Sequence, residues 1–314
     1  MTRRCPRARP SSPLLLRLLS FHALLALLAL AAASAGCAGT RPQAADAAPD
    51  VGDISFRDST PLDDLRVDVD GPTSDSVSSA ALPGSGPVRG HDAIVSPSAQ
   101  LYDVIWRGDS GYFRVVPLGA TQLPDWGNAT AWAPLWTVAD LPGQGDVQTL
   151  GLTVLQGAIS QGIWRGDMGY SRSIPFSASG TPDLGNASAW SAPLSLSDIE
   201  GSGALTAQSG FVDSTHLHQS YWRGGMRYAR RVPLLSDGAP DWANGEAWQS
   251  GDASALPGSG DVHAESIAAL PGAVLLQTIW RGDLRYRRSG PVDAQKPAAL
   301  DEAQASAWDG PVAP

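Results

Sequence analysis

Tryptophan, arginine and tyrosine recur in this sequence at fixed intervals, and these side chains are able to bind polar ligands. A Trp-Arg-Gly tripeptide occurs four times, 58 residues apart, and each copy is followed by Tyr-x-Arg. The tryptophans are Trp106, Trp164, Trp222 and Trp280, the first arginines are Arg107, Arg165, Arg223 and Arg281, and the tyrosines are Tyr112, Tyr170, Tyr228 and Tyr286. Guanidinium groups pair with sugar hydroxyls, so the arginines and tyrosines, together with an indole of a nearby loop that can stack on the C–H face of a sugar, favour glycan binding.

A second recurring block supplies carboxylates, amides and further indoles. Three copies contain Pro-Asp-x-x-Asn, with aspartates Asp125, Asp183 and Asp241 and asparagines Asn128, Asn186 and Asn244. The residue after the aspartate is Trp126 or Trp242 in two copies, but Leu184 and Glu302 in the others. Since a packed core rarely tolerates glutamate, we expect this position to be exposed. Trp126 and Trp242 are therefore the candidate sugar-stacking platforms.

The recurring arginines and tyrosines also have a structural interpretation. With a two-residue hairpin turn we expect Arg107 to face Tyr112, with Arg114 on the same side of the strands. A guanidinium over a tyrosine ring contributes about 0.5–2 kcal/mol, and such a pair serves equally well to hold neighbouring repeats together. Ligand binding and packing are both open at this point.

Composition argues against several other classes of function. The net charge is −9, from 22 basic and 31 acidic residues, so no nucleic-acid partner is expected. Two cysteines, Cys5 and Cys37, cannot form a disulfide framework. His216 and His218 share one strand face beside Asp213 and are interpreted as a surface histidine pair, with a metal site as the alternative. Nucleophile-elbow, zinc-protease and phosphate-loop motifs are absent from the sequence, so no catalytic residue, metal or cofactor is expected.

Four repeats account for the chain from residue 81 onwards. A glycine-containing joint precedes each copy and places the repeats at residues 82–140, 141–198, 199–255 and 256–314, with two extra residues in the fourth. Within a copy, alternation such as Leu150, Leu152 and Val154 is typical of strands, and a Gly-Asp turn after Arg165 is typical of a hairpin. The sequence therefore predicts an all-β domain.

The number and size of the repeats restrict the architecture. A unit of 58 residues without a disulfide buries too little apolar surface to fold alone, so the copies must pack on one another. Four such units can stack in a line or close into a ring, and a ring leaves fewer exposed sheet edges. We therefore predict a four-bladed β-propeller, with a linear array as the alternative.

The Trp-Arg-Gly-Asp-x-x-Tyr-x-Arg core at residues 106–114, 164–172 and 280–288 resembles the blades of hemopexin-type propellers, in which four blades occur. In the third copy Gly225 replaces the aspartate. The same hairpin is similar to the blades of fucose-binding bacterial and fungal lectins, and that resemblance implies a carbohydrate ligand. Both resemblances cover only this short core; the disulfide of the first family and the recurring glutamate of the second are absent.

The first 36 residues have the layout of a secretory signal peptide. Four arginines precede an apolar stretch over residues 14–33, and small residues then lead to Cys37. The Ala-Gly-Cys sequence ending at Cys37 resembles a bacterial lipoprotein signal, which implies cleavage before this cysteine and its modification by lipid, palmitate included. Ser34 stands where that family usually has leucine. Ordinary cleavage after Ala35, which leaves a free thiol, is the alternative.

Residues 37–80 are predicted to form a disordered tether. Residues 38–80 contain nine aspartates, three arginines and neither tryptophan nor tyrosine, so they cannot offset the entropy of ordering and their charges repel. A calcium loop at Asp68 and Asp70 is the alternative, although regular ligand spacing is lacking. Ala38 is not the aspartate that retains lipoproteins of enteric bacteria in the inner membrane, and the resemblance therefore implies the outer membrane.

Together these features predict an exported protein, anchored in a bacterial cell envelope by lipid, that binds carbohydrate through its repeat loops. The alternative is an envelope scaffold with a protein partner, in which the recurring arginine, tyrosine and tryptophan residues only hold the repeats together. A polysaccharide-active enzyme is the third hypothesis.

Overall fold

The structure, a computed structural model, describes residues 81–309, which form a four-bladed β-propeller. Four antiparallel sheets are arranged in a ring, which confirms the predicted all-β fold and its closure. The predicted signal peptide, Cys37 and the tether lie outside the described residues. No helix within residues 81–309 is long and apolar enough to cross a membrane.

Each blade is one sheet made from consecutive strands of one repeat. The first contains β1 (Val88–Val95), β2 (Gln100–Arg107), β3 (Ser110–Pro117) and β4 (Ala133–Thr137). The second contains β5 (Val147–Leu155), β6 (Ala158–Arg165), β7 (Met168–Pro175) and β8 (Leu194–Ser195). The third contains β9 (Leu205–Val212), β10 (His216–Arg223), β11 (Met226–Pro233) and β12 (Gln249–Asp252). The fourth contains β13 (Val262–Leu270), β14 (Val274–Arg281) and β15 (Leu284–Pro291), followed by an isolated bridge between Arg287 and Asp309.

A hairpin with a two-residue turn forms the middle of each blade. In the first blade Arg107 lies opposite Ser110, and the turn begins at Gly108, whose φ of +56° is in the left-handed region that favours glycine. The expected pairing of Arg107 with Tyr112 is therefore wrong, because a two-residue turn pairs the residues that flank it. Tyr112 lies opposite Ile105, on the same face of the sheet as Arg107 but two pairs further from the turn.

The innermost strands β1, β5, β9 and β13 surround the axis of the ring. Each contacts the next, and β13 contacts β1, so the ring closes between the fourth blade and the first. Within residues 81–309 no strand is shared between two blades. Side chains in the four seams between blades therefore hold the ring together.

Asp92 lies on the innermost strand β1, and its carboxylate links all four blades. Its carboxylate is fully buried and accepts hydrogen bonds from the backbone N–H groups of Leu152 (2.6 Å) and Ala93 and from the hydroxyl of Ser209. Leu152 belongs to β5 and Ser209 to β9. Burial raises the pKa of Asp92 well above its usual value, while hydrogen bonds from these groups and from Ser266 oppose that rise.

The indoles of the Trp-Arg-Gly tripeptides pack in the seams between blades, and their surroundings are similar in all four repeats. Trp106, Trp222 and Trp280 are 1% exposed and Trp164 is 6% exposed. Each lies in an apolar cluster with residues of the following blade: Trp106 with Leu150, Trp164 with Leu205, Trp222 with Val262, and Trp280 with Val88. The indoles thus supply the apolar contact that a single repeat cannot make alone.

Candidate functional site

The first arginine of each repeat binds the joint that leads into its own blade. Arg165 donates hydrogen bonds to the backbone carbonyls of Val138, Leu141, Pro142 and Gly145, at 2.9–3.1 Å. The equivalent sets are Arg107 with Leu82, Pro83 and Gly86, Arg223 with Leu196, Ile199, Glu200 and Gly203, and Arg281 with Ala253, Leu256, Pro257 and Gly260. Protein carbonyls therefore occupy these four guanidinium groups.

The recurring tyrosines lie on the same joints. The ring of Tyr112 covers Gly84 so closely that a Cβ atom at this glycine would come within 2.7 Å of the tyrosine hydroxyl. Tyr170, Tyr228 and Tyr286 cover Gly143, Gly201 and Gly258 in the same way. These glycines also have positive φ, between 76° and 85°, so both the backbone and the ring require glycine. The structure places all eight of these predicted ligand-binding residues at the joints.

The aspartates and asparagines of the loops bind each other. The side-chain amide of Asn128 donates to Asp125 at 2.7 Å, and the pairs Asn186–Asp183 and Asn244–Asp241 have the same separation. Each pair spans a one-turn 3-10 helix, namely Trp126–Asn128, Leu184–Asn186 and Trp242–Asn244. The pairs therefore fix the shape of the loop that presents the candidate platform.

A second set of arginines stacks with the loop indoles. The guanidinium carbon of Arg230 lies 4.4 Å from the ring centre of Trp248 and 5.6 Å from that of Trp242. The other three arginines lie over equivalent indoles: Arg114 over Trp132 at 4.5 Å, Arg172 over Trp190 at 4.4 Å, and Arg288 over Trp308 at 4.2 Å. The sequence prediction did not include these arginines among the site residues. Their recurrence at 58 residues was the signal that could have identified them.

The two candidate platforms have different surroundings. Trp126 contacts Arg114 of its own blade at 5.0 Å and Arg287 of the fourth blade at 3.6 Å, and it packs against the apolar cluster in that seam. Among the described residues, Trp242 contacts one guanidinium, that of Arg230. Trp126 is thus part of the ring closure, whereas the guanidinium that Trp242 contacts belongs to its own blade.

The two other repeats show how the platform position varies. Leu184 is 38% exposed, although it is a large apolar side chain. Glu302 is exposed and forms a two-pronged ion pair with Arg288, with N–O distances of 2.5 and 2.7 Å. The hydrogen bond from Arg288 lowers the pKa of Glu302. Neither residue offers an aromatic face to a ligand.

A buried charge network lies in the seam that closes the ring. Asp103 contacts His91 at 2.6 Å and Arg114 at 2.9 Å. Burial alone would raise the pKa of Asp103, but His91, Arg114 and Arg287 outweigh burial and hold it well below its usual value. Burial also lowers the pKa of His91 and brings that of Arg287 to about 9. The pKa of each group in this network therefore depends on the charges of its neighbours.

The histidine pair in the third blade has protein partners, and the expectation of a surface pair is wrong for His218, which is 1% exposed. His218 contacts Asp213 through Nε2 at 2.8 Å, and its Nδ1 accepts the backbone N–H of Ala298 at 3.0 Å. Because that N–H can only donate, the ring proton of His218 is on Nε2 and points at the carboxylate. His218 thus anchors a loop of the fourth blade. Residues 81–309 contain no group of three or more side chains arranged to hold a metal ion.

A cleft, here called the seam cleft, opens between the third and fourth blades. Its volume is about 230 Å³, and its walls include Gly251, Leu256, Arg288, Leu300 and Glu302. Buried residues of the seam also line the cleft, and the indole of Trp222 is among them. Polar and apolar groups therefore meet in one concave surface at the rim of the ring.

Comparison with known proteins assigns this chain to no family. No protein-family model and no curated protein matches it. Among solved structures, a mutant of the NanB sialidase from Streptococcus pneumoniae matches 61% of this chain and 27% of its own length, with 14% identity and a TM-score of 0.32. A DUF4623 family protein from Bacteroides eggerthii matches 60% of this chain and 55% of its own length, with 12% identity and a TM-score of 0.29. The chain thus spans less than two thirds of either protein.

Replacement of Arg165 by methionine is expected to destabilise the propeller by about 1–3 kcal/mol, because buried carbonyls of the joint lose their donor. Urea denaturation of the full chain measures the free energy of unfolding. Arg89→Met is the matched control, since it removes an exposed ion pair with Asp146 and should cost at most about 1 kcal/mol. Equal losses in the two variants would contradict the role of Arg165 at the joint.

Proposed function

We propose that this protein is an exported, lipid-anchored binding protein of a bacterial cell envelope, and that it binds carbohydrate at Trp242 of the third blade. The observation that supports this proposal is the setting of Trp242. Its indole lies half-buried on a surface loop, next to a guanidinium and a carboxylate, while the recurring indoles in the seams are buried. An aromatic face beside charged hydrogen-bonding groups is the arrangement that a sugar ring requires.

The groups around Trp242 have hydrogen-bonding capacity left for a ligand. Among the described residues, Arg230 donates through Nε to Gln219 at 3.0 Å, and its two terminal amino groups donate to no protein acceptor. Asp241 accepts from Asn244 through one carboxylate oxygen. Sugar hydroxyls can both donate and accept, so they are able to bind the free amino groups and the second oxygen while the ring stacks on the indole.

Binding at one blade rather than at two follows from the position of Trp126. The close approach of Arg287 to this indole, at 3.6 Å, occupies ring surface that a sugar would need. Leu184 and Glu302 supply no aromatic face in the second and fourth repeats. We therefore propose a single carbohydrate site per chain among the four loops.

An envelope scaffold that binds a protein partner is the second candidate function. It is favoured by the eight recurring arginines and tyrosines, which are engaged at the joints rather than directed into an open pocket. In a scaffold of this kind Trp242 would be only a surface residue. Direct binding measurements on variants of this residue separate the two functions.

Trp242→Ala is expected to weaken carbohydrate binding while the melting temperature stays within a degree or two of the wild type. An aromatic stack contributes about 0.5–1.5 kcal/mol, so affinity should fall roughly two- to tenfold. A glycan array probed with the wild-type chain identifies the ligand, and titration with that ligand gives the affinities. Leu184→Ala, at the same position of the second blade, is the matched control and should bind as the wild type does.

Two results would contradict the carbohydrate proposal. One is the absence of binding by the wild-type chain to any glycan of the array. The other is unchanged glycan affinity in Trp242→Ala. Trp126→Ala provides an internal check on folding, because loss of the contact with Arg287 should lower the melting temperature of this variant alone.

The lipid anchor at Cys37 has a separate test. Cells that express the wild-type chain and are fed radioactive palmitate should yield a labelled protein in the membrane fraction, because the signal sequence presents this cysteine at the cleavage site. Cys37→Ser should abolish both the label and the membrane attachment. An unlabelled wild-type chain would support ordinary cleavage after Ala35 instead.

A further inference from the structure

The strand pairing shows that one position lining the seam cleft is a glycine where the first and second blades have a large side chain. In the first three repeats, the residues at positions 111, 169 and 227 are equivalent, and each pairs with one residue of the outermost strand of its blade. The pairs are Trp136 with Gly111 on β4 and β3, Leu194 with Gly169 on β8 and β7, and Gly251 with Arg227 on β12 and β11. Gly251 therefore takes the place of a tryptophan in the first blade and of a leucine in the second.

Nothing in the backbone requires glycine at this position. The φ of Gly251 lies outside the left-handed region, unlike that of the glycines in the joints and turns. A Cβ atom built on Gly251 would meet no other atom within 4 Å. Gly251 therefore borders open space, namely the seam cleft of about 230 Å³.

The first seam shows what occupies this space when it is filled. Trp136 extends from the first blade to Arg172 of the second, with 5.5 Å between its ring centre and the guanidinium carbon. Arg172 also lies 4.4 Å from Trp190 of its own blade. An arginine of the second blade is therefore in contact with two indoles, one of which comes from its neighbour.

Arg288 is the exception among the four stacked arginines. Arg114 and Arg230 also contact two indoles each, but both indoles belong to their own blade, and the second stands at the platform position that Glu302 takes in the fourth repeat. Among the described residues, Arg288 contacts one, Trp308 at 4.2 Å, and it lines the seam cleft. Glu302 and Gln277 bind its nitrogen atoms and hold the guanidinium in place. Among the described residues, no aromatic side chain of the third blade reaches Arg288 in the way that Trp136 of the first blade reaches Arg172.

We propose that the seam cleft binds an aromatic side chain presented by a partner protein, in the place that Trp136 fills in the first seam. Arg288 attracts the face of the ring through a cation–π interaction, while Leu256 and Leu300 contact its apolar edges. The volume is below the roughly 300–1,000 Å³ of sites for drug-sized ligands, and it suits one side chain.

The strand next to the cleft offers a second contact to the same partner. All four residues of β12, Gln249–Asp252, are exposed, and the strand lies at the edge of its sheet. A partner segment that places its ring in the cleft runs past this edge and is able to pair with the backbone of β12. The ring gives specificity, and the backbone pairing adds affinity.

Gly251→Trp tests the proposal, because it restores to the third blade the residue found in the first. The probe is N-acetyl-tryptophanamide, titrated into the full chain and followed by saturation-transfer NMR on the probe. We expect weak, saturable binding to the wild type and at least a tenfold loss in Gly251→Trp. Gly251→Ala leaves the cleft open and should bind as the wild type does. Should Gly251→Trp fail to fold, Gly251→Leu, the residue of the second blade, replaces it.

The same titrations have outcomes that would contradict the proposal. It is overturned if the probe does not bind the wild type, or if it binds Gly251→Trp with wild-type affinity. It is also overturned if a panel of methyl glycosides binds the wild type and loses affinity in Gly251→Trp while the probe does not bind, since the cleft is then a sugar site. Trp242→Ala should bind the probe normally, so the result is independent of the carbohydrate site.

Discussion

The closure of the ring between the fourth blade and the first is the constraint on which the rest of the structure depends. A repeat of this size cannot bury both faces of its sheet, and a closed ring gives each face a neighbour. No strand is shared at the closure within residues 81–309, so side chains alone must join the ends. Arg287 reaches across to the indole of Trp126, beside the buried carboxylate of Asp103. Charges removed from water are tolerated there because each has a partner of opposite sign or an aromatic face.

The recurring and the varying positions of the repeats have different roles. Positions that are identical in all four copies, such as the first arginine and the tyrosine, bind joint carbonyls and cover joint glycines, and the same geometry is needed at every seam. Positions that vary are under no such demand. Trp242 and Gly251 are both of this kind, and both lie in the third repeat. The departures from four-fold symmetry on which both proposals rest therefore lie in the third blade and in its seam with the fourth.

Much of the fold could be predicted from the sequence, because it follows from the repeat itself. The 58-residue interval gave the number of blades, and alternating apolar residues such as Leu150 and Leu152 indicated strands. The role of Arg107 could not be predicted, because its acceptors are backbone carbonyls. Every residue has such a carbonyl, so the residue types in the joint do not reveal the contact. The seam cleft was also hidden. Its origin is the absence of a side chain at Gly251, and that absence has meaning only once strand register shows that Trp136 occupies the equivalent place.

A double-mutant cycle between Trp126 and Arg287 tests the closure of the ring most directly. These residues belong to the first and the fourth repeat and meet only if the two blades are neighbours. Free energies of unfolding are measured for Trp126→Leu, Arg287→Met and the double variant. A closed ring predicts a coupling energy of about 0.5–2 kcal/mol between the two sites. Additive losses, with coupling below about 0.3 kcal/mol, would place the two residues apart and contradict the closed propeller.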